Sequence, residues 1–335
     1  MKNLRRLLIL CLLGLVLVAC SGGGEEVPEN IEVKIGSLKG PTTIGLAHFI
    51  DESIDSQSTI IYGPKKNSTG YNFKSEVFPL AEEIVARLNK GELDLALIPA
   101  NLAATIYNKT DGQIRLLATN NLGVLHLVEN GQSLKTKEDL NGKTVYSLGK
   151  GTTPDAVLNY FKEKNSLDFD IVYKSEPSEI AKLLASEEGA LAFLPEPFVS
   201  VVESKNPNVS RFLDMHREWL ALNNNFSIVT GVLVARTDLV EERPELIDGF
   251  IRDFQRSGEY VAGHEAEILK LAEEMEIIPA GLDESAIKNC NINVQTGRTM
   301  EAMLNNYLSI LEGINPDLIG GRLPSEDFYY IPKEK

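Results

Sequence analysis

The chain has 335 residues, of which 24% are charged and 43% hydrophobic, an ordinary globular composition with enough length for two lobes rather than one core. A formal net charge of −15 argues against nucleic acid or an anionic membrane surface as the main partner. It leaves room for a small anionic ligand, because local dipoles decide that.

The first residues, MKNLRRLLILCLLGLVLVAC, place Lys2, Arg5 and Arg6 before an apolar stretch over 7–18. That stretch is too short to span a bilayer comfortably and reads as an export signal. It ends in Leu17-Val18-Ala19-Cys20, which resembles a bacterial lipobox; the resemblance implies cleavage after residue 19 and a lipid on Cys20. The alternative is an ordinary signal peptide with an incidental cysteine. Residues 20–30 then form a flexible polar tether. Of the three cysteines, Cys11 leaves with the signal and Cys290 has no partner, so no intramolecular disulfide is expected and Cys290 reads as a buried small hydrophobe.

VKIGSLKGPTTIGLAHFI (33–50) reads as a strand, a Gly/Pro/Thr turn and a helix. EIVARLNKGELDLALIP (83–99) reads as an amphipathic helix, a polar turn and a buried strand closed by Pro99, after which ANLAATIY re-enters a helix. The long apolar run RLLATNNLGVLHLVEN (115–130) exceeds one average strand and reads as a crossing between lobes. VYSLGKGTTPDAVLNYF (145–161) repeats the strand, Gly/Thr turn and helix. EIAKLLASEEGALAFLP (179–195) then aligns without a gap on 83–99 at an offset of 96. FSIVTGVLVARTD (226–238) is a second crossing, Pro244 sits at a first helical turn, and TMEAMLNNYLSILEGI has helical apolar spacing.

The order of Gly/Thr loop, then helix–strand–Pro, thus occurs twice. It predicts an α/β chain of two similar lobes with a ligand cleft between them, joined by two crossing segments. Lobe one is expected over 31–121 plus 233–335 and lobe two over 122–232, with residues 1–19 as signal. In open α/β sheets ligands bind at the carboxyl ends of the strands. The loop candidates are therefore Lys39, Gly40, Pro41, Thr42 and Thr43 in one lobe and Gly149, Lys150, Gly151, Thr152 and Thr153 in the other. Glycines permit close backbone approach, threonines add hydroxyls, and helix N-termini supply unpaired N–H groups to an anion or polar acceptor. The alternative is that these are capped strand-to-helix turns and nothing more. Pro99 and Asn101 follow one strand and Glu196 the other. Asn101 reads as a ligand hydrogen-bonder or a helix cap, and Glu196 as a contact to a cationic ligand group or a salt bridge across the cleft.

A nucleotide loop fails on spacing, since Lys150 precedes Gly151 and no third glycine follows. Tyr71, Phe73, Trp219 and Phe226 read better as core than as a ligand wall. His48, His126, His216 and His264 are scattered without metal-ligand spacing, and neither metal nor cofactor is expected.

Together the lipobox, GSLKGPTTIG, GELDLALIPANLA, LNGKTVYSLGKGTTPDAVLNYF, LPEPFVSVVESKNPNV and IGGRLPSEDFYY resemble the solute-binding lipoproteins of bacterial ABC importers, in the nitrate/sulfonate/taurine branch. The resemblance spans essentially the whole mature chain. It implies a periplasmic-binding-protein type II fold, anchored by lipid outside the cytoplasmic membrane. Such a protein closes on a small solute and delivers it to permease subunits with a cytoplasmic ATPase. Lys39 and Lys150 favour an acidic solute, and Glu196 leaves room for a zwitterion. The rival class is an enzyme on the same fold, for example in menaquinone or pyrimidine biosynthesis. Against it, the sequence contains no G-x-S-x-G and no H-E-x-x-H.

Overall fold

Two sheets organise the computed structural model, which describes residues 30–55, 58–62, 69–131 and 133–332. The first sheet is built on β1 (Asn30–Leu38), β2 (Ile60–Tyr62), β3 (Thr69–Phe78), β4 (Leu95–Pro99), β5 (Ile114–Leu122) and β11 (Val229–Arg236), in the order β2-β3-β1-β4-β11-β5. The second uses β6 (Leu125–Asn130), β7 (Thr144–Leu148), β8 (Asp170–Lys174), β9 (Leu191–Pro195) and β10 (Val209–Asp214), in the order β10-β6-β9-β7-β8.

Strand pairing makes the internal repeat explicit. In the first sheet β1 runs parallel to β3 and β4, and β11 lies antiparallel to β4 and β5. In the second, β7 runs parallel to β8 and β9, and β6 lies antiparallel to β9 and β10. The series β3-β1-β4-β11-β5 and β8-β7-β9-β6-β10 therefore correspond strand for strand. The apolar runs read as crossings change sheets: β5 passes into β6 within two residues, and the chain returns from β10 to β11.

Helices cover the sheets in the order their apolar spacing demands. These include α1 (Pro41–Ile44), α2 (Ala81–Asn89), α3 (Ala100–Lys109), α4 (Thr153–Lys164), α5 (Pro177–Ser186), α6 (Phe198–Lys205), α7 (Met215–Leu222), α8 (Pro244–Val261) and α9 (Gly297–Ile314), with a further helix at Glu265–Glu274 and shorter helical segments elsewhere. Pro244 opens α8, whose Leu246, Ile247, Phe250 and Phe254 recur at helical spacing and pack on Val33, Ile35 and Leu97 of the first sheet. Burying such side chains stabilises the lobe by ~1.5–3 kcal/mol each. The last long helix, α9, serves both lobes. It packs beside β5 and β11, while its Tyr307 ring lies 6.0 Å from that of Trp219 on α7. Tyr71, Phe73 and Trp219 are core residues, as is Cys290, whose thiol donates to the Ala286 carbonyl at 3.2 Å and is pushed up by burial.

Candidate functional site

The carboxyl ends of the parallel strands in each sheet carry the loops singled out above. After β1, the Lys39 N–H donates to the Phe78 carbonyl at 2.8 Å, which ties the loop to the end of β3. Gly40 has φ 107°, a conformation that favours glycine, and Pro41 opens α1. A Cβ built on Gly40 would lie 4.0 Å from Pro197 Cδ of the loop after β9. The first lobe's loop thus meets the second lobe's.

Within this loop the threonines face inward. Thr43 is fully buried, with Oγ1 2.6 Å from the Leu38 carbonyl and 3.0 Å from Ser37 Oγ. The Thr42 carbonyl accepts from Asn120 Nδ2 at 2.9 Å. The expectation that Thr43 offers its hydroxyl to a ligand is corrected here: that hydroxyl holds the turn closed. Lys39 remains exposed.

The loop after β7 is built differently. Lys150, Gly151 and Thr152 are exposed and Thr153 begins α4. Gly151 has φ 82°, and its N–H donates to Asp155 Oδ2 at 2.7 Å. Asp155 Oδ1 also accepts from Tyr173 Oη at 2.6 Å and from Asn159 Nδ2. A buried carboxylate from the first turn of α4 therefore sits at the helix's own positive end and takes one of the expected donors. Thr152 Oγ1 donates to the Gly149 carbonyl at 2.7 Å rather than capping the helix. Asp155 was missed in the sequence, although its place in the first turn after Thr152 is the signal for it.

Both residues after the strand-ending prolines are corrected too. Pro99 itself is the N-cap of α3, and Asn101 donates from Nδ2 to the Leu318 carbonyl at 3.3 Å, so it caps nothing. With Asn108 donating to the Ile319 carbonyl at 2.8 Å, it ties α3 to the C-terminal segment. The Glu196 side chain has no exposure; Arg211 Nη2 donates to its Oε1 at 2.6 Å and Ser200 Oγ to its Oε2 at 2.8 Å. Arg211 lies on β10 of the same sheet, so this pair does not cross the cleft. Burial raises the Glu196 pKa above the usual carboxylate range, and the opposing pull of Arg211 does not cancel it. His126 Nε2 lies 3.9 Å from the same Oε1, but burial, reinforced by Arg211, pushes the imidazole down to about 4. It is therefore neutral at pH 7, and Arg211 alone carries the charge pairing.

Left exposed by these contacts are Lys39 in the first loop and residues 150–152 in the second, whereas Gly40, Thr42 and Thr43 are buried. Two apolar side chains join them at the same edge of the first sheet. Leu80, at the start of α2, is 55% exposed, and Phe226, just before β11, is 40% exposed. Cys20 and the export signal lie outside the described residues. Among the described residues no helix is long and apolar enough to cross a membrane.

This is the fold of the type II periplasmic binding proteins: two α/β sheets of matching strand order, with the chain passing from the first to the second and back. Residues 72–311 match the family model described as "Menaquinone biosynthesis", more than half of the chain, and the protein belongs to that family. An ABC transporter protein from Parabacteroides distasonis superposes with a TM-score of 0.72 at 24% identity, covering 90% of this chain and 99% of that one. The periplasmic aliphatic sulphonate binding protein SsuA from Escherichia coli gives 0.64 at 16% identity, over 91% and 93%. The ligand binding component of an ABC-type import system from Staphylococcus aureus, solved with zinc bound, gives 0.63 at 16%, over 90% and 96%. No curated protein sequence matches the chain.

Proposed function

We propose that the chain is the solute-binding component of an ABC importer, held outside the cytoplasmic membrane by a lipid on Cys20. It captures a small anionic or zwitterionic organic solute between a lobe of residues 31–121 plus 233–335 and one of 122–232, then hands it to the permease. The observation that carries this is the meeting of strand-to-helix loops from separate sheets, Gly40 against Pro197, with Lys39 and Lys150 exposed beside them. In a chain of net charge −15, two exposed lysines at this edge favour an anion there. The Escherichia coli relative in fold is named for aliphatic sulphonates, and a sulphonate or similar organic acid fits these groups.

Calorimetry with short aliphatic sulphonates and carboxylates tests the reading. Lys39→Ala and Lys150→Ala each weaken binding about 3–30-fold, more at low salt, because each removes one partly screened charge. Melting temperatures stay level, since both side chains are exposed. Full affinity in the double variant places the solute elsewhere.

A second reading rests on the family match, which favours an enzyme acting on a small metabolite in the same cleft. Mass spectrometry of the bound compound after incubation separates the two: a binding protein returns it unchanged, an enzyme returns a product.

A further inference from the structure

The two Gly/Thr loops begin from the same dipeptide. Ser37-Leu38 ends β1 and Ser147-Leu148 ends β7, and the same shift of 110 superposes Thr42 on Thr152 and Thr43 on Thr153. Both serines are fully buried, on strands that hold corresponding places in their sheets. Their hydroxyls are treated differently. Ser37 Oγ has Thr43 Oγ1 at 3.0 Å, whereas Ser147 Oγ is buried with no partner.

Ser147 pairs in register with Tyr173, whose hydroxyl reaches Asp155 in the first turn of α4. It therefore lies on the sheet face that carries α4 and the 149–153 loop. At the position of Asp155 the first lobe has Gly45, so nothing there competes for the loop's N–H groups. In the second lobe Asp155 takes the Gly151 N–H, Thr152 folds back on Gly149, and the hydroxyl beneath them is left out. Buried hydroxyls without partners are costly, and a neighbouring state that satisfies one is favoured.

We infer that the 149–153 loop has a second form, in which Thr153 docks on Ser147 as Thr43 docks on Ser37. In that form Asp155 releases Gly151, whose N–H turns to the cleft. Ser147 and Asp155 are positioning residues of the second lobe's half of the site, one for each form. The two forms follow from the fold alone; that a solute selects the docked form rests on the proposed function.

Paired alanine variants test the asymmetry without any solute. Ser37→Ala lowers the melting temperature by about 1–2 °C, the loss of one hydrogen bond in a chain of this length. Ser147→Ala leaves it unchanged or raises it, because the hydroxyl removed has no partner. A fall as large as that of Ser37→Ala overturns the inference. The second form is trapped by Ser147→Cys with Thr153→Cys in the full chain carrying Cys20→Ser, with Ser37→Cys and Thr43→Cys as the pair already in contact. Adding Asp155→Ala speeds oxidation of the 147/153 pair about tenfold, as the competing state is lost. An unchanged rate, or no bond at all, overturns it. Where Asp155→Ala fails to fold, Asp155→Asn, which keeps the shape and removes the charge, takes its place in the oxidation assay with the same two outcomes. Neither readout depends on the cleft binding anything.

Discussion

Replacing Arg211 by alanine exposes how the loop that meets Gly40 is held. Arg211 Nη2 lies 2.6 Å from Glu196 Oε1, 3.1 Å from Ser200 Oγ and 3.1 Å from Glu203 Oε2. Its loss leaves a carboxylate of zero exposure with one hydroxyl and one long backbone contact. Stranding a buried charge in this way costs about 3–5 kcal/mol at neutral pH. With an unfolding entropy of about 2 cal/mol/K per residue, that is a fall of roughly 4–8 °C in melting temperature.

The pH dependence has a definite sign. The folded-state pKa of Glu196 already stands above its ordinary value of 4.5, and without Arg211 it rises further. A group with a raised folded pKa binds more protons folded than unfolded, so stability falls as pH climbs through that pKa. The variant's deficit against wild type therefore shrinks as the pH is lowered and Glu196 takes up its proton, and grows as the pH climbs. Glu203, also raised by burial and also facing Arg211, adds to the same trend. Adding Glu196→Gln to Arg211→Ala removes the stranded charge and restores more than half of the loss. Calorimetric melts from pH 5 to 8 measure all of this. A deficit that is flat with pH, or a double variant no better than the single, refutes the reasoning.

Other consequences are simpler to read. Gly231 sits where β11 leaves the return crossing; a Cβ there would lie 2.3 Å from Asn121 Oδ1 and 3.2 Å from Thr42 Cγ2. Gly231→Ala therefore costs about 1–3 kcal/mol in chemical denaturation, and a neutral result means the crossing yields freely. Cys290, fully buried with its thiol pKa raised, stays unreactive to a thiol reagent until the chain unfolds; labelling mapped to Cys290 in the native protein contradicts the packing. Trp219 is the single tryptophan and is buried between Tyr160 and Tyr307, so native emission is blue-shifted and resists iodide, whereas full quenching would place α9 away from α7.

What was legible in the sequence follows one physical line. Local periodicity revealed the helix–strand–Pro units and the Gly/Thr turns, because 3.6- and 2-residue spacing is set within each segment. The two matched sheets follow from repeating those units. Side-chain partners were not legible, since they depend on which strand lies alongside. Nothing near Glu196 announces Arg211, fifteen residues on and two strands away in the sheet. Asn101 finds its partner at Leu318, at the far end of the chain. Thr43 and Thr153 occupy equal positions in the two loops, yet only the first lobe lacks a competing carboxylate. Phe226 was expected in the core like Trp219; it stays exposed because it stands just ahead of β11, at the sheet edge rather than beneath it.

The central claim is that the two lobes share one solute site at their facing loops. A crystal structure of the chain with the sulphonate or carboxylate that calorimetry identifies tests this most directly. The account predicts density for the acid group between the backbone at Gly40 and the 149–153 loop, within reach of Lys39 or Lys150. Density held by one lobe alone, or lodged away from both loops, contradicts it.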